Sequence, residues 1–355
     1  MSIVDQIRAA ASDVVDPVIG RSLSDLNMLT DVVQDGDTTT IHVELPTPAY
    51  PNQDSLAATI KEGVTAKVES AGALDVAFTV KVKGKDSGGR IGLNVRNVIA
   101  VGSGKGGVGK STVAAALACG LHSLGAKVGL MDADVYGPSI PHMLGAKGQP
   151  AATEHVGGDG NKFMRMTPID VDGLKLMSMG FFIEEGQSVV WRGPMLHKAL
   201  TQFLQQTAWD ELDYLIIDLP PGTGDVSLTL SQQIGLAGAV IVCTPQQVAL
   251  LDAVKAVDMY QKVNVPVLGV VENMTGDVFG RGGAKKVAEE LKLPFLGEVP
   301  INACIREHAD AGKMMQLLTT ENPAKESLLE MCQSVAMQVA KSVVTVKAAP
   351  TLEIL

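Results

Sequence analysis

The residues Gly104-Lys105-Gly106-Gly107-Val108-Gly109-Lys110-Ser111-Thr112 have the spacing GxxxxGK[ST], which binds phosphate where it joins a strand to a helix. The flanks predict that context. Asn97-Val98-Ile99-Ala100-Val101 is a short apolar run that reads as a buried strand, and Thr112 to Leu124 is rich in Ala and Leu at helical spacing. Glycines let the backbone curl so that successive N–H groups face an anion. The start of the helix adds the positive end of its dipole. In such a turn Lys110 reaches the β- and γ-phosphates, and the Ser111 hydroxyl coordinates Mg²⁺. The ligands this implies are ATP and Mg²⁺.

Two acidic clusters sit where strand-like runs end. In Asp213-Tyr214-Leu215-Ile216-Ile217-Asp218-Leu219-Pro220-Pro221-Gly222-Thr223-Gly224-Asp225, the apolar run delivers Asp218 to the sheet edge near Mg²⁺. Gly222 and Gly224 would let the next loop move when a γ-phosphate leaves. In Met131-Asp132-Ala133-Asp134-Val135-Tyr136-Gly137, Asp134 is the candidate to orient an attacking water, with Asp132 as its supporting carboxylate behind the metal. Phosphoryl transfer asks for positioning and charge neutralisation rather than covalent chemistry.

The elements that must hold these groups alternate in type. Strands are expected at 97–101, 127–132, 174–178, 213–218, 238–243, 267–271 and 294–298, with helices between most of them. That order predicts an α/β fold with a mostly parallel sheet and helices on both faces. Ligands then lie at the C-terminal ends of the strands. The segment from Ala151 to Lys162 is Gly-rich and polar and reads as a surface loop. Residues 1–85 read as a small α+β unit. A helix over Ile3–Val15 stops at Asp16-Pro17, strands follow near Leu26–Val33 and Thr38–Leu45, then a helix over Ser55–Ser70 and a strand over Val76–Val82. Residues 86–96 make a linker, 97–345 the phosphate-binding domain and 346–355 a tail.

Composition bounds the function. The chain has 355 residues with 46% hydrophobic, 19% charged and only 4% aromatic residues, so a large core of small and aliphatic side chains is expected. A net charge of −10 argues against a nucleic-acid surface. No apolar run reaches membrane-spanning length, and the N-terminus lacks the pattern of a secretory signal, so a cytoplasmic location is expected. Cys119, Cys243, Cys304 and Cys332 lie far apart, with no CxxC. Cys119 and Cys243 read as small buried hydrophobes, and Cys304 stands at a loop-to-helix start.

The KGGVGKS form, with Lys105 after the first glycine, resembles the deviant Walker A motif of the MinD/ParA/nitrogenase-iron-protein class. The resemblance implies that Lys105 reaches across a dimer interface to the partner's nucleotide. GSGKGGVGKST, DADVYGPSIPHMLG, VVWRGPM (Val189 to Met195) and DYLIIDLPPGTGD together resemble the Mrp/ApbC family of iron–sulfur cluster carrier ATPases. Asp16 to Leu23 and Pro46-Thr47-Pro48-Ala49 resemble the small domain fused in front of these ATPases and shared with cytosolic iron–sulfur assembly factors. What this implies is a homodimer with ATP at its interface, apo iron–sulfur clients, and contact between Asn273 and the adenine. The family carries a CxxC between its ENM and FG.GG segments. Here Glu272-Asn273-Met274-Thr275-Gly276-Asp277 runs straight into Val278-Phe279-Gly280-Arg281-Gly282-Gly283. Tyr50 stands where the N-terminal domain has a cysteine, and a phenol does not replace a thiolate. The iron–sulfur ligands are thus unassigned: the remaining cysteines would serve only if the fold brought two together or a partner supplied ligands, and Cys304 from two subunits is the first pair to test. Three functions stay open: a cluster carrier, an ATP-gated adaptor without a cluster, and a partitioning-type switch.

Overall fold

The computed structural model describes residues 2–84, 93–135, 137–156, 162–182, 193–222 and 234–344. The expected linker, the expected tail, Tyr136, most of VVWRGPM, Thr223, Gly224 and Asp225 lie wholly or mainly outside them. The chain divides into two compact units. One holds the N-terminal residues to Lys83 together with those from Ala336 onward, and the other runs from Gly84 to Val335.

The first unit begins with a helix over Ile3–Ser12, shorter than its apolar pattern suggested. Ser2 caps it. Its hydroxyl accepts from the Asp5 amide at 3.1 Å, and the Asp5 carboxylate accepts from the Ser2 amide at 3.0 Å. Strands β1 (Leu29–Asp35), β2 (Thr38–Leu45) and β3 (Ala73–Val80) form one sheet, with β1 antiparallel and β3 parallel to β2. Alternate residues of β2, namely Thr39, Ile41, Val43 and Leu45, are buried. The helix Gln53–Thr65 turns Leu56, Ile60 and Val64 into the same core. Tyr50 belongs to that core too. Its hydroxyl donates to Asp16 Oδ2 at 2.7 Å, while Asp16 Oδ1 accepts from the amides of Val18 and Ile19. Burial and the adjacent carboxylate push the phenol well up from its ordinary pKa.

The second unit is built on an eight-stranded sheet. Its strands are β4 (Val95–Gly102), β5 (Val128–Asp132), β8 (Ile169–Val171), β9 (Leu174–Ser178), β10 (Leu212–Asp218), β11 (Leu236–Cys243), β12 (Val267–Thr275) and β13 (Phe295–Pro300). Their order is β13-β12-β11-β4-β10-β5-β9-β8. Every pairing is parallel except that of β8 with β9. The strands read as apolar runs because helices cover both faces. The helix Lys110–Ser123 is buried along nearly its whole length, and its Ala114, Ala115, Ala116, Ala118 and Gly120 are the small side chains that close packing requires.

One expectation is corrected. Ala151–Val156 (β6) and Lys162–Thr167 (β7) pair antiparallel as a hairpin, where the sequence reading placed a surface loop. The Gly-rich centre of the segment hid the strands on either side. β4 also begins at Val95, inside the expected linker.

β4 lies between β10 and β11, so the turn after β4 emerges in the middle of the sheet. That turn is pressed against the helix Gln247–Lys262. A Cβ on Gly104 would lie 2.1 Å from the Asp252 carbonyl oxygen, a backbone atom without freedom to retreat. Gly104→Ala is expected to destabilise the protein by about 1–3 kcal/mol. Urea unfolding measures this, and an unchanged midpoint would contradict the contact.

Candidate functional site

The turn from Ser103 to Gly109 leaves β4 and enters the helix at Lys110, with Gly109 as its N-cap. Gly107 and Gly109 both have φ of 80°, in the region where a side chain is strained. The turn is held from three directions. Gly222, after β10, donates its amide to the Ser103 carbonyl at 2.9 Å. Asp252 backs Gly104. Asn273 Nδ2 donates to the Val108 carbonyl at 2.9 Å. Within the turn the Ser103 hydroxyl donates to the Lys105 carbonyl at 2.9 Å. Gly106 and Gly107 stay exposed, and Lys105 is half-buried.

Strand register brings the carboxylates to the same place. Asp218 at the end of β10 is paired with Val101 of β4 on one side and with Asp132 of β5 on the other. The two acids therefore stand side by side, one 0% and the other 1% exposed. Lys110 Nζ lies 2.6 Å from Asp218 Oδ1 and 3.6 Å from Asp134 Oδ2, and is itself buried. Lys110, Asp132, Asp134 and Asp218, separate in sequence, thus form one cluster beside the turn.

Their charges are unequal. Burial pushes the Asp132 carboxyl up to about 7, and the charge of Asp218 beside it adds to this. The Ser178 hydroxyl, at 3.0 Å from Asp132 Oδ2, and the amides of Asp134 and Ile140 pull the other way. Burial also raises Asp218, with the Lys110 ammonium and the Ser111 hydroxyl opposing it. Asp218 Oδ2 is buried without a hydrogen bond of ordinary geometry. An acceptor left open beside the Ser111 hydroxyl fits a small hard cation that takes oxygen ligands.

Beside the turn lies a cleft of about 470 Å³, lined by Thr112, Met143, Asn273, Met274, Pro300 and Ile301 among others. Its exposed wall is mainly apolar, with His142, Arg306 and Asp310 among the polar groups around it, a composition that suits a small organic ligand. Asn273 lines it while holding Val108. Sequence reasoning did not find Ser178, Pro300 or Ile301. Nothing in their local pattern marks them, because β9 and β13 meet the site only through sheet topology. It also passed over Glu272, whose charge inside the apolar run of β12 is the signal that a buried partner exists.

The thiols are placed differently. Cys119, Cys243 and Cys332 are buried, and burial pushes the first two up to about 12 and the third higher. Cys332 Sγ lies 3.6 Å from the Ala116 carbonyl in the core. Cys304, near the start of the helix Ala303–Asp310, is only partly buried. Among the described residues no group of three or more His, Cys, Asp or Glu side chains is arranged to hold a metal ion, and no helix is long and apolar enough to cross a membrane.

Comparison with known proteins adds the following. The profile of NUBPL iron-transfer P-loop NTPases matches residues 94–336, and that of iron–sulfur cluster assembly proteins matches residues 4–76. An iron–sulfur cluster carrier protein of Deinococcus radiodurans is 44% identical over 346 residues, covering 95% of each chain. The protein of that name from Escherichia coli K12 is 42% identical over 342 residues, covering 91% of this chain and 88% of its own. A nucleotide-binding protein of Archaeoglobus fulgidus, solved with ADP, is 38% identical with a TM-score of 0.54, over 66% of this chain and 91% of that one. The cell-division ATPase MinD of Pyrococcus furiosus shares the fold, with a TM-score of 0.51 at 19% identity over 67% of this chain and 98% of its own.

The protonation of Asp132 has a consequence for stability. Its pKa rises from 3.8 to about 7 on folding, so between those values the native state holds more protons than the unfolded one. The contribution is therefore fully present below about pH 4 and is lost as pH rises through 7. Asp132→Asn, neutral throughout, is expected to flatten the fall in nucleotide-free stability between pH 5 and 8, by on the order of 2 kcal/mol. Thermal melts across that range test it, and parallel curves for the two proteins would contradict the assignment.

Proposed function

The chain belongs to the family of NUBPL-type iron-transfer P-loop NTPases, and from that premise we propose that it hydrolyses ATP to drive the delivery of iron–sulfur clusters to apoproteins. One observation carries the catalytic half of this reading: Lys110 is held between Asp218 and Asp134 at the mouth of a glycine turn. The turn's exposed amides receive the phosphates, and Lys110 exchanges its carboxylate partners for the β- and γ-phosphoryl oxygens. Ser111 and Asp218 hold the magnesium ion, whose charge offsets that of the triphosphate. Asp134 orients the attacking water, while Asp132 fixes the Asp134 backbone through its amide at 3.2 Å. The base and ribose occupy the cleft beside Thr112, Asn273 and Pro300. The Archaeoglobus fulgidus protein that is 38% identical to this chain was solved with ADP, which supports nucleotide binding.

Two copies of the chain are proposed to close over the nucleotide. Lys105, half-buried in the turn, is assigned to the partner's triphosphate by the resemblance of the motif. Lys110→Ala is expected to abolish turnover, since such contacts contribute about 3–4 kcal/mol or more to the transition state. Lys105→Ala is expected to cut hydrolysis at least tenfold while leaving Mg·ADP affinity within about threefold. Steady-state ATPase and nucleotide titrations check both. Equal loss of binding and turnover in Lys105→Ala would remove it from the partner's site.

The cluster is the cargo. Among the four cysteines only Cys304 is even partly open to solvent, so a dimer offers two accessible thiols. A bridging cluster held by the two Cys304 side chains, with the other ligands from a client or an assembly factor, is the carrier reading. A second reading is favoured by the three buried thiols and by Tyr50: the protein is an ATP-gated adaptor that binds clients and holds no cluster itself. Anaerobic reconstitution with iron and sulfide separates them. The carrier reading expects visible absorbance and acid-labile sulfide in the wild type, reduced at least fivefold in Cys304→Ser. Full absorbance in Cys304→Ser eliminates Cys304 as the ligand, and none in the wild type leaves the adaptor.

A further inference from the structure

Glu272 stands near the C-terminal end of β12, in register with Cys243 on β11 and Glu298 on β13, and is 0% exposed. Its carboxylate is met by two backbone amides. Gly282 donates to Oε1 at 2.6 Å and Ala284 donates to Oε2 at 2.5 Å. Those amides open the helix Gly283–Glu290, so the acid lies at the positive end of that helix. The chain between is a small closed loop. Gly276 and Gly280 exchange amide-to-carbonyl bonds of 3.0 and 2.7 Å, and Ile301 donates to the Thr275 carbonyl at 2.9 Å. One carboxylate therefore ties the far end of this loop to the strand from which it starts.

The next residue points elsewhere. Neighbouring side chains on a strand face opposite ways, and Asn273 reaches the phosphate turn, where its Nδ2 bonds the Val108 carbonyl. The fit there is tight, for a Cβ on Gly109 would lie 2.2 Å from that nitrogen. Met274, immediately after, has φ of 60°, a strained value for its type, so the strand end is held in place by its surroundings.

We propose that Glu272 is a positioning residue for the phosphate turn: by fixing the end of β12 it sets Asn273 on Val108, and so links nucleotide occupancy to the loop 275–282. The inference rests on the reading of that turn as the nucleotide site. Glutamine keeps the shape of Glu272 but replaces one acceptor with a donor. A buried N–H then faces another N–H, and the strand end must move to relieve the clash. Since binding linkage is reciprocal, what the turn gains from a fixed Asn273 the loop gains from a filled turn.

The test is a double-mutant cycle on Mg·ADP affinity, measured by calorimetry, with thermal melts alongside. Glu272→Gln and Asn273→Ala are each expected to weaken binding about tenfold, and the double variant about tenfold rather than a hundredfold. Multiplying effects, or a Glu272→Gln protein that melts earlier yet binds as tightly as wild type, would reduce Glu272 to a helix cap and overturn the proposal. Hydrogen exchange on the wild type gives an arm that needs no variant to fold: Mg·ADP is expected to slow exchange of the Gly282 and Ala284 amides at least threefold. Unchanged exchange at a saturated site overturns the coupling. Failure of the wild type to bind Mg·ADP at all would instead bring down the nucleotide reading.

Discussion

Lys110 stands between Asp218 and Asp134 in a place nearly closed to water, and the rest of the second unit is arranged around that fact. Opposite charges so close in a medium of low polarisability attract strongly, but each is costly to bury without the other. The sheet makes the arrangement unavoidable. Parallel pairing of β10 with β4 and β5 puts Asp218 level with both Val101 and Asp132, and the turn after β4 brings Lys110 over them. Three carboxylates around one ammonium leave an excess of negative charge. Burial and the neighbouring Asp218 charge hold the Asp132 carboxyl up near neutrality, which relieves part of that excess.

A phosphate site with a negative surplus looks self-defeating until the loads are compared. A nucleotide brings more negative charge than Lys110 offsets, so the proposed chemistry calls for an added cation beside Asp218 and gives a second lysine in the turn an electrostatic use. Asp218 Oδ2, buried without a hydrogen bond of ordinary geometry, stands where the added cation is needed, and Lys105 belongs to the same turn as Lys110. The turn, for its part, is not free to rearrange. Gly222, Asp252 and Asn273 hold it from separate elements, so movement of any of these is felt by the amides of the turn.

Much of this was legible in the sequence for a physical reason. A turn that must present bare amides to an anion needs glycine at fixed places, and a strand buried on both faces needs an unbroken apolar run. Both constraints write themselves into local spacing, which is why Gly104 to Thr112, Asp132 and Asp218 could be picked out. The partners of those residues could not. Ser178 reaches Asp132, and Pro300 reaches the cleft, through strand neighbours far apart in the chain, and no local pattern records which strands become neighbours. The hairpin of β6 and β7 was missed because its glycines dominate a short polar segment whose strands have little apolar alternation to show. Lys110 was expected to face phosphate, and its two carboxylate partners within the chain became visible only in three dimensions.

The same distinction between local and long-range constraint bears on the cargo. A thiolate ligand must be ionised and reachable, and both properties are set by burial. In the second unit the helix Lys110–Ser123 packs so closely that Gly120 has no space for a side chain against Cys332 Sγ, 2.4 Å from where its Cβ would be. A thiol in such a contact is part of the packing, and releasing it would open the helix that carries Lys110. In the first unit Tyr50 fills its position with a hydrogen bond to Asp16, which itself ties down the turn at Val18 and Ile19. The Cys332 thiol and the Tyr50 position are therefore committed to holding the fold. Of the four thiols, that leaves Cys304 alone with partial access to solvent.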